Sequence, residues 1–549
     1  MTRPRAWFPA LVAALVVLGL AVVFAWQVSA AGPIAIDDAY ITFSYSKNLA
    51  LGHGPVYGHG LRVEGYSNFL WMVLVAVGLF FRSAADPLLT ARCVAVPFMA
   101  LLAVATYRLC RVRVSRAWSV LAALMLVINC DVVTAFSIGL ETLPAAALLM
   151  LSFMLAVRSW REPRLARWVV PALTGVALTR IDGFLPLGFV LAFELGRRLW
   201  RREGTVRDFL WWAGPGVAVY LAWFAWRWAY YGMPLPATYY AKALIPRLLP
   251  HRGWEYVRSE CLANGAYLAL PFALLLVARR RLEAIFLIAF SLLHVAYVTR
   301  VGGDWMPYGR FLLPIFPLVV IIIIWGGAEL IALGWPRLHR GAWLLGALPL
   351  AALLFVGKRT ERHLTDDPVQ LGKIGYAAQQ ASHVKDLKSS ARLLNRALPP
   401  GARLVTDYGG VFAYYTDAAP IEMWGLCNAL IATRGGTERI NPIYGRTCPE
   451  CYPRLDPQFF HVWVPITRDL QAFHSHMEVV QQVWQTDTIG RYLDFARDFV
   501  SGRSMQPARN QAVYFLERRR PDVVYRPRAT GDGFMVDYPF EPGGRAAGL

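Results

Sequence analysis

Apolar residues run through this 549-residue chain in long blocks, near 7–29, 88–107, 117–135, 140–157, 168–180, 183–196, 208–229, 263–278, 284–299, 310–333 and 341–356. A helix needs roughly 20 apolar residues to cross a bilayer, and these blocks are read as transmembrane helices. A further block, 67–82 (NFLWMVLVAVGLFF at its centre), is shorter and is read as a juxtamembrane helix lying on the outer leaflet. The loops fix the threading. RLCRVRVSR, RSWREPRLAR, GRRLWRREGTVR, ARRR and PRLHR are rich in arginine and the intervening loops are not, which places the basic ones in the cytoplasm. If 67–82 crossed the membrane, every one of them would move to the other side. The pattern therefore predicts eleven spans, with the N-terminus inside and the C-terminus outside. The first block is long enough to span and no small-residue cleavage site follows it, so it is read as a retained helix.

Beyond residue 356 no block is long enough to span. Short β-like segments (ARLVTDY, HVWVPI, DVVYR) alternate with a helical stretch, GKIGYAAQQASHVKDLKSSARLLNRAL. The expected fold is thus an α-helical polytopic membrane protein, 1–356, whose first outer loop covers 30–87, followed by an extracytoplasmic α/β domain over 357–549.

Composition agrees with this threading: 56% of residues are hydrophobic, 17% are charged, and there are 20 tryptophans, too apolar for an ordinary soluble chain of this size. The formal charge of +20 would suggest nucleic acid in a soluble protein. Here basic residues sit in loops that face anionic lipid, so the expected partner is the bilayer and no nucleic acid. Cys93, Cys110, Cys130 and Cys261 lie in or beside apolar runs, where cysteine behaves as a small hydrophobe.

With this threading the unusual polar clusters all fall outside: IDDAYITF, GLRVEGYSNFLW, SIGLET, TRIDG, MPLPATYYAK and VGGDWMPYGR. A carboxylate within reach of a hydroxyl can take its proton as it attacks, and Arg or Lys can hold a departing phosphate. Sugar transfer from a lipid-phosphate donor needs both groups, and such a donor would present its sugar at this interface.

This order of motifs resembles the GT-C superfamily of polyprenyl-phosphate-sugar-dependent membrane glycosyltransferases. More narrowly, DDAYITFSYSKNLALGHGPVYGHGLRVEGYSNFLW with GLET, TRIDG, PLPATYYAK and GGDWMPYGRFLLP is similar to the actinobacterial cell-wall arabinofuranosyltransferases that add terminal arabinose. The likeness covers most of residues 30 to 320. It implies transfer of a sugar, D-arabinofuranose, from a polyprenyl phosphate to a glycan or glycoprotein outside the bacterial cytoplasmic membrane. A hexose donor with lipopolysaccharide, lipid-linked glycan or pilin as acceptor is the alternative within the superfamily. A lipid-linked sugar transporter is the alternative outside it, but would be expected to place its charges near mid-membrane.

The resemblance makes Asp37 or Asp38 the catalytic base or nucleophile, with a preference for Asp37. The other aspartate would hold acceptor hydroxyls or a divalent cation, as some members of the superfamily do. Arg180, Lys242 and Arg310 are the candidates for donor phosphate. Against this, Arg180 could simply pair with Asp182, and the other two could snorkel to headgroups. Tyr40, Glu64, Tyr66, Glu141, Asp182, Tyr239, Asp304 and Trp305 are candidates for substrate contact, although Glu64 and Tyr66 could equally cap the helix that follows. His53 and His59 lack a metal ligand set and are read as loop residues. Cys448 and Cys451 in TCPEC suit a local disulfide, or one of them a bridge to Cys427. Asp407, Tyr415 and Trp424 could line a glycan surface, core packing being the commoner fate of such residues.

Overall fold

The computed structural model describes residues 35–82, 86–127, 129–242, 251–304, 306, 309–334 and 373–435. Beyond these it describes 440–441, 445–446, 448, 451–465, 493–498, 511–518, 524–530 and 533–540. The expected spans 7–29 and 341–356, the 356/357 boundary and Trp305 lie outside the described residues.

The other nine predicted spans all coincide with helix. The outer loop opens with α1 (Asp37–Ala50) and α2 (Phe69–Arg82), followed by α3 (Pro87–Cys110), α4 (Arg116–Val127), α5 (Cys130–Ser137) and α6 (Thr142–Ser159). Next come α7 (Ala166–Thr179), α8 (Phe184–Arg201), α9 (Val206–Tyr231), α10 (Ala237–Lys242), α11 (Arg252–Ala263), α12 (Ala269–Ala278), α13 (Leu282–Arg300) and α14 (Phe316–Gly334). Among the described residues four helical stretches are by themselves long and apolar enough to cross a membrane, and counting each bent pair as one span makes six.

The α2 helix has 14 residues, about 21 Å at the helical rise, too short for the hydrocarbon core. Its Trp71, Val75 and Leu79 are buried one turn apart, while Phe80 and Phe81 are exposed. One face grips the protein, and Phe80 and Phe81 on the other are left uncovered by it.

Two expected spans are corrected. The block 117–135 is two helices, because the Asn129 side chain accepts N–H bonds from Asp131 (3.0 Å) and Val132 (3.2 Å) and caps a new helix there. The block 263–278 is preceded by a further helix, α11, and the chain bends by 77° between the two. Gly265 makes the turn at φ 64°, a left-handed conformation that glycine adopts without steric penalty.

The α6 helix runs through the centre of the bundle, between α3 and α7. Ala145, Ala146, Ala147 and Ser152 on it are buried. Small side chains let backbones approach closely, which drives helix association where lipid tails are as apolar as leucine.

After the membrane region, α15 (Lys373–Ala397) precedes a five-stranded sheet of order β2-β1-β5-β7-β6. Its strands are β1 (Arg403–Thr406), β2 (Ala419–Glu422), β5 (Phe459–Pro465), β6 (Leu493–Asp498) and β7 (Gln511–Arg518), while β3 (Ile440–Asn441) and β4 (Gly445–Arg446) form a separate antiparallel pair. Strand β1 pairs in parallel with β2 and β5, and β7 runs antiparallel to β5 and β6. The short helix α16 (Val411–Tyr415) connects β1 to β2 and packs on α1. The Ser44 Oγ donates to the Ala413 carbonyl (3.2 Å), Lys47 Nζ to that of Tyr414 (2.8 Å), and Tyr57 Oη to that of Gly409 (2.5 Å). This part of the α/β region is bolted to the first outer loop. The segment also carries a disulfide between Cys448 and Cys451, while Cys427 is a free thiol buried against Gly65.

Candidate active site

Asp37 and Asp38 open α1, so successive side chains leave the helix about 100° apart and face different surroundings. Asp37 turns to the α/β region: its two carboxylate oxygens accept from the Gly410 N–H (3.0 Å) and the Val411 N–H (2.7 Å). Gly410 is required there, since a Cβ would lie 1.9 Å from the Asp37 carbonyl oxygen. Burial raises the Asp37 carboxyl to about 7, and the two N–H bonds offset this only in part. Glu422, buried nearby and bonded to the N–H groups of Trp424 and Cys427, is also raised to about 7 by burial.

Asp38 faces a different group. It lies within electrostatic reach of Lys242 and Arg310. Lys242 ends α10 half-buried; burial lowers its pKa, and Asp38 and Asp304 pull it back up. Among the described residues Lys242 has no ion-pair partner. Arg310 pairs with Asp304 through two N–H groups, the Nη2 bond measuring 3.1 Å.

A second set adjoins the first. Arg180 is bidentate to Asp182 (2.8 and 3.0 Å) and reaches Glu141 (3.2 Å). Glu141 accepts from Asn68 (2.8 Å), which also donates to Thr42 on α1 (3.1 Å). The Phe311 ring joins the two sets, with Arg180 5.3 Å and Arg310 5.4 Å from its centroid. His294 holds the Phe311 carbonyl oxygen at 2.7 Å. The structure thus brings together Asp38, Lys242, Asp304, Arg310, Glu141, Arg180 and Asp182.

Other expected site residues lie elsewhere. Glu64 is buried in an ion pair with Arg227 of α9, its Oε1 accepting at 3.0 Å. Tyr66 is hydrogen-bonded to Tyr231 (3.1 Å). Both therefore clamp the outer loop to the end of α9, and neither is a plain helix cap. Tyr40 is fully buried beneath Lys388, whose Nζ is 5.0 Å from the ring centroid, and Tyr415 packs beside it. Tyr239 is half exposed, and His53 and His59 are exposed. Thr42, His294 and Phe311 were not foreseen. Arg227 left a trace in the sequence: a lone arginine in WFAWRWAYYG needs a buried partner.

No group of three or more His, Cys, Asp or Glu side chains among the described residues is placed to hold a metal ion. Asp182, Asp304 and Glu141 are already matched by arginine, so this donor set fits a divalent cation poorly.

ArnT from Cupriavidus metallidurans in the apo state superposes with a TM-score of 0.50 at 11% identity, covering 92% of this chain and 98% of that one. The apo oligosaccharyltransferase of Archaeoglobus fulgidus gives a TM-score of 0.51 at 11% identity, covering 83% of this chain and 70% of that one. These likenesses show the fold. In sequence, the chain is similar to the terminal beta-(1->2)-arabinofuranosyltransferase of Mycobacterium tuberculosis, 30% identical over 384 residues, which is 61% of this chain. The chain spans 59% of that relative's length. No family model matches the sequence. The arabinofuranosyltransferase likeness read from the ordered motifs is borne out in sequence.

Proposed function

We propose that this protein is a membrane glycosyltransferase that moves a sugar, D-arabinofuranose, from a polyprenyl phosphate to a glycan acceptor outside the cytoplasmic membrane. The observation that carries the reading is the division of labour in α1. Asp37 is committed to two backbone N–H groups, while Asp38 is set against Lys242 and Arg310. The sugar comes from the relative's name and the chemistry from the cluster.

In this reading an acceptor hydroxyl forms the new C–O bond at the anomeric carbon. The bond from that carbon to the phosphate oxygen breaks, and its electron pair leaves on polyprenyl phosphate. Lys242 takes the phosphate, because Arg180 and Arg310 already hold carboxylates and Lys242 can add a charge-assisted bond without losing one. Asp38 is the reacting carboxylate. An inverted product means that it takes the hydroxyl proton; a retained product means that it meets the anomeric carbon as nucleophile or front-face stabiliser. Arg180, Asp182, Glu141 and Asn68 position the site, and no step is routed through a metal.

The test is transfer from a short-chain polyprenyl-phosphate arabinose, read by mass spectrometry as lipid phosphate released and glycan formed. Asp38→Asn is expected to lose about a thousandfold or more, some 4 kcal/mol of transition-state stabilisation. Asp37→Asn is expected to lose much less activity and to lower thermal stability. Full transfer by Asp38→Asn would overturn the assignment. Transfer of a hexose but not of arabinose would keep the class and change the donor.

A further inference from the structure

At the end of the bundle opposite the acid–base cluster, a cavity of about 340 Å³ opens between the ends of α6, α7, α8 and α9. Glu141, one residue before α6, belongs to the cluster, and Trp160, one residue after it, lines the cavity. The 18 residues between them set the two sites about 27 Å apart along the helix. They sit at opposite surfaces of the bilayer.

The cavity has a fixed frame and one cation, Arg198, that makes no ion pair among the described residues, although the Asp208 carboxylate lies within its electrostatic reach. Glu194, 3% exposed, accepts from Trp160 Nε1 and from Arg197 Nε (3.0 Å), and Arg197 also reaches Glu203 (2.7 Å). The Trp212 indole is locked by its own N–H bond to the Ala166 carbonyl (2.7 Å). The Arg198 guanidinium lies over that indole, 4.7 Å from the centroid. Among the described residues no protein oxygen accepts a hydrogen bond from the Arg198 guanidinium. A guanidinium held against an aromatic platform keeps its N–H edge available, and a fork of N–H groups fits phosphate oxygens.

The surroundings say where the phosphate comes from. Trp168, Trp200 and Trp211 are within two residues of cavity-lining positions and are 54%, 78% and 71% exposed. Exposed indoles beside an arginine-rich helix end mark the headgroup layer of a bilayer. We propose that this cavity is a phospholipid site: Arg198 holds the phosphodiester of a lipid from the leaflet on the arginine-rich side, and the acyl chains lie along the exposed faces of α8 and α9. The site is separate from the lipid-linked donor and does not depend on the proposed reaction.

The experiment is native mass spectrometry of the purified full chain titrated with dioctanoyl phosphatidylglycerol. Wild type is expected to hold one saturable lipid, and Arg198→Gln to weaken it about tenfold, the loss of a charge-assisted contact. Arg202→Gln, which changes an arginine outside the cavity, should bind as wild type. If Arg198→Gln does not fold, Arg198→Lys serves: it keeps the charge, loses the flat stack, and should bind several-fold more weakly. Equal binding by wild type and the folded Arg198 variant would overturn the proposal. So would competition by sn-glycerol 3-phosphate at the lipid's own concentration, which would make the ligand a soluble phosphate.

Discussion

The two ends of the bundle use the same residue types to opposite effect. At the arginine-rich end, Glu283 pairs with Arg113 (3.4 Å) and Arg161 (2.8 Å), and Glu329 with Arg113 (3.4 Å) and Arg281 (2.8 Å). These pairs tie the loops after α3, α6 and α12 to α13 and α14. Arg161 and Arg281 are well exposed, and water screens them, while Arg113 is 15% exposed. At the other end, charges are sunk among helix ends and the outer loop, and Lys242 is held there without an ion-pair partner among the described residues. The first arrangement fastens helices and tolerates loss. The second keeps a cation poised, at a cost met by the fold around it.

Four measurements would sharpen that contrast, beginning with the largest effect. Glu64→Gln strips the carboxylate from buried Arg227, and an uncompensated buried charge costs about 3–5 kcal/mol. The expected result is a large drop in thermal stability with loss of folded protein, measured in detergent by unfolding. Lys242→Ala should slow transfer by about 10- to 100-fold, since a charge-assisted contact contributes roughly 1.5–3 kcal/mol. Its melting temperature should stay near wild type, because no ion pair is broken. A loss of stability without loss of transfer would make Lys242 structural.

The third measurement is a pH series. Asp37 and Glu422 both titrate near 7 in the folded protein against about 4 when unfolded, so the folded state binds more protons between those values. Their contribution to stability is full below about pH 4 and fades as pH rises through 7. The melting temperature should therefore fall from pH 5 to pH 8, and Asp37→Asn or Glu422→Gln should flatten the slope. A steeper slope in both variants would contradict the burial argument. The smallest effect belongs to Glu283→Gln. Screened pairs contribute about 1 kcal/mol or less each, so transfer should change less than about twofold.

How much of this was legible in the sequence varies with the range of the interaction. Spans and the short outer helix could be read because length and apolarity are local quantities set by the bilayer. The break at Asn129 could not, since a cap inside an apolar run looks like a tolerated polar residue until the N–H groups are seen to turn toward it. The adjacent aspartates show the limit most clearly. Their place at the start of a helix beside the other polar clusters was readable, and their different surroundings were not. What separates the two residues is Gly410, more than 370 positions away. Arg227 lies between these cases: the need for a partner was visible and its identity was not.

That same distance has a consequence for how the protein is made. The helix carrying Asp38 emerges early in synthesis, but the backbone groups that receive Asp37 are translated only after every described span. Until residues 410 and 411 reach the same side of the membrane, α1 has a bare carboxylate where its dock should be. A chain interrupted before that point could thread all its helices and still lack a finished site, so under the proposed function transfer would report completed export as well as correct insertion.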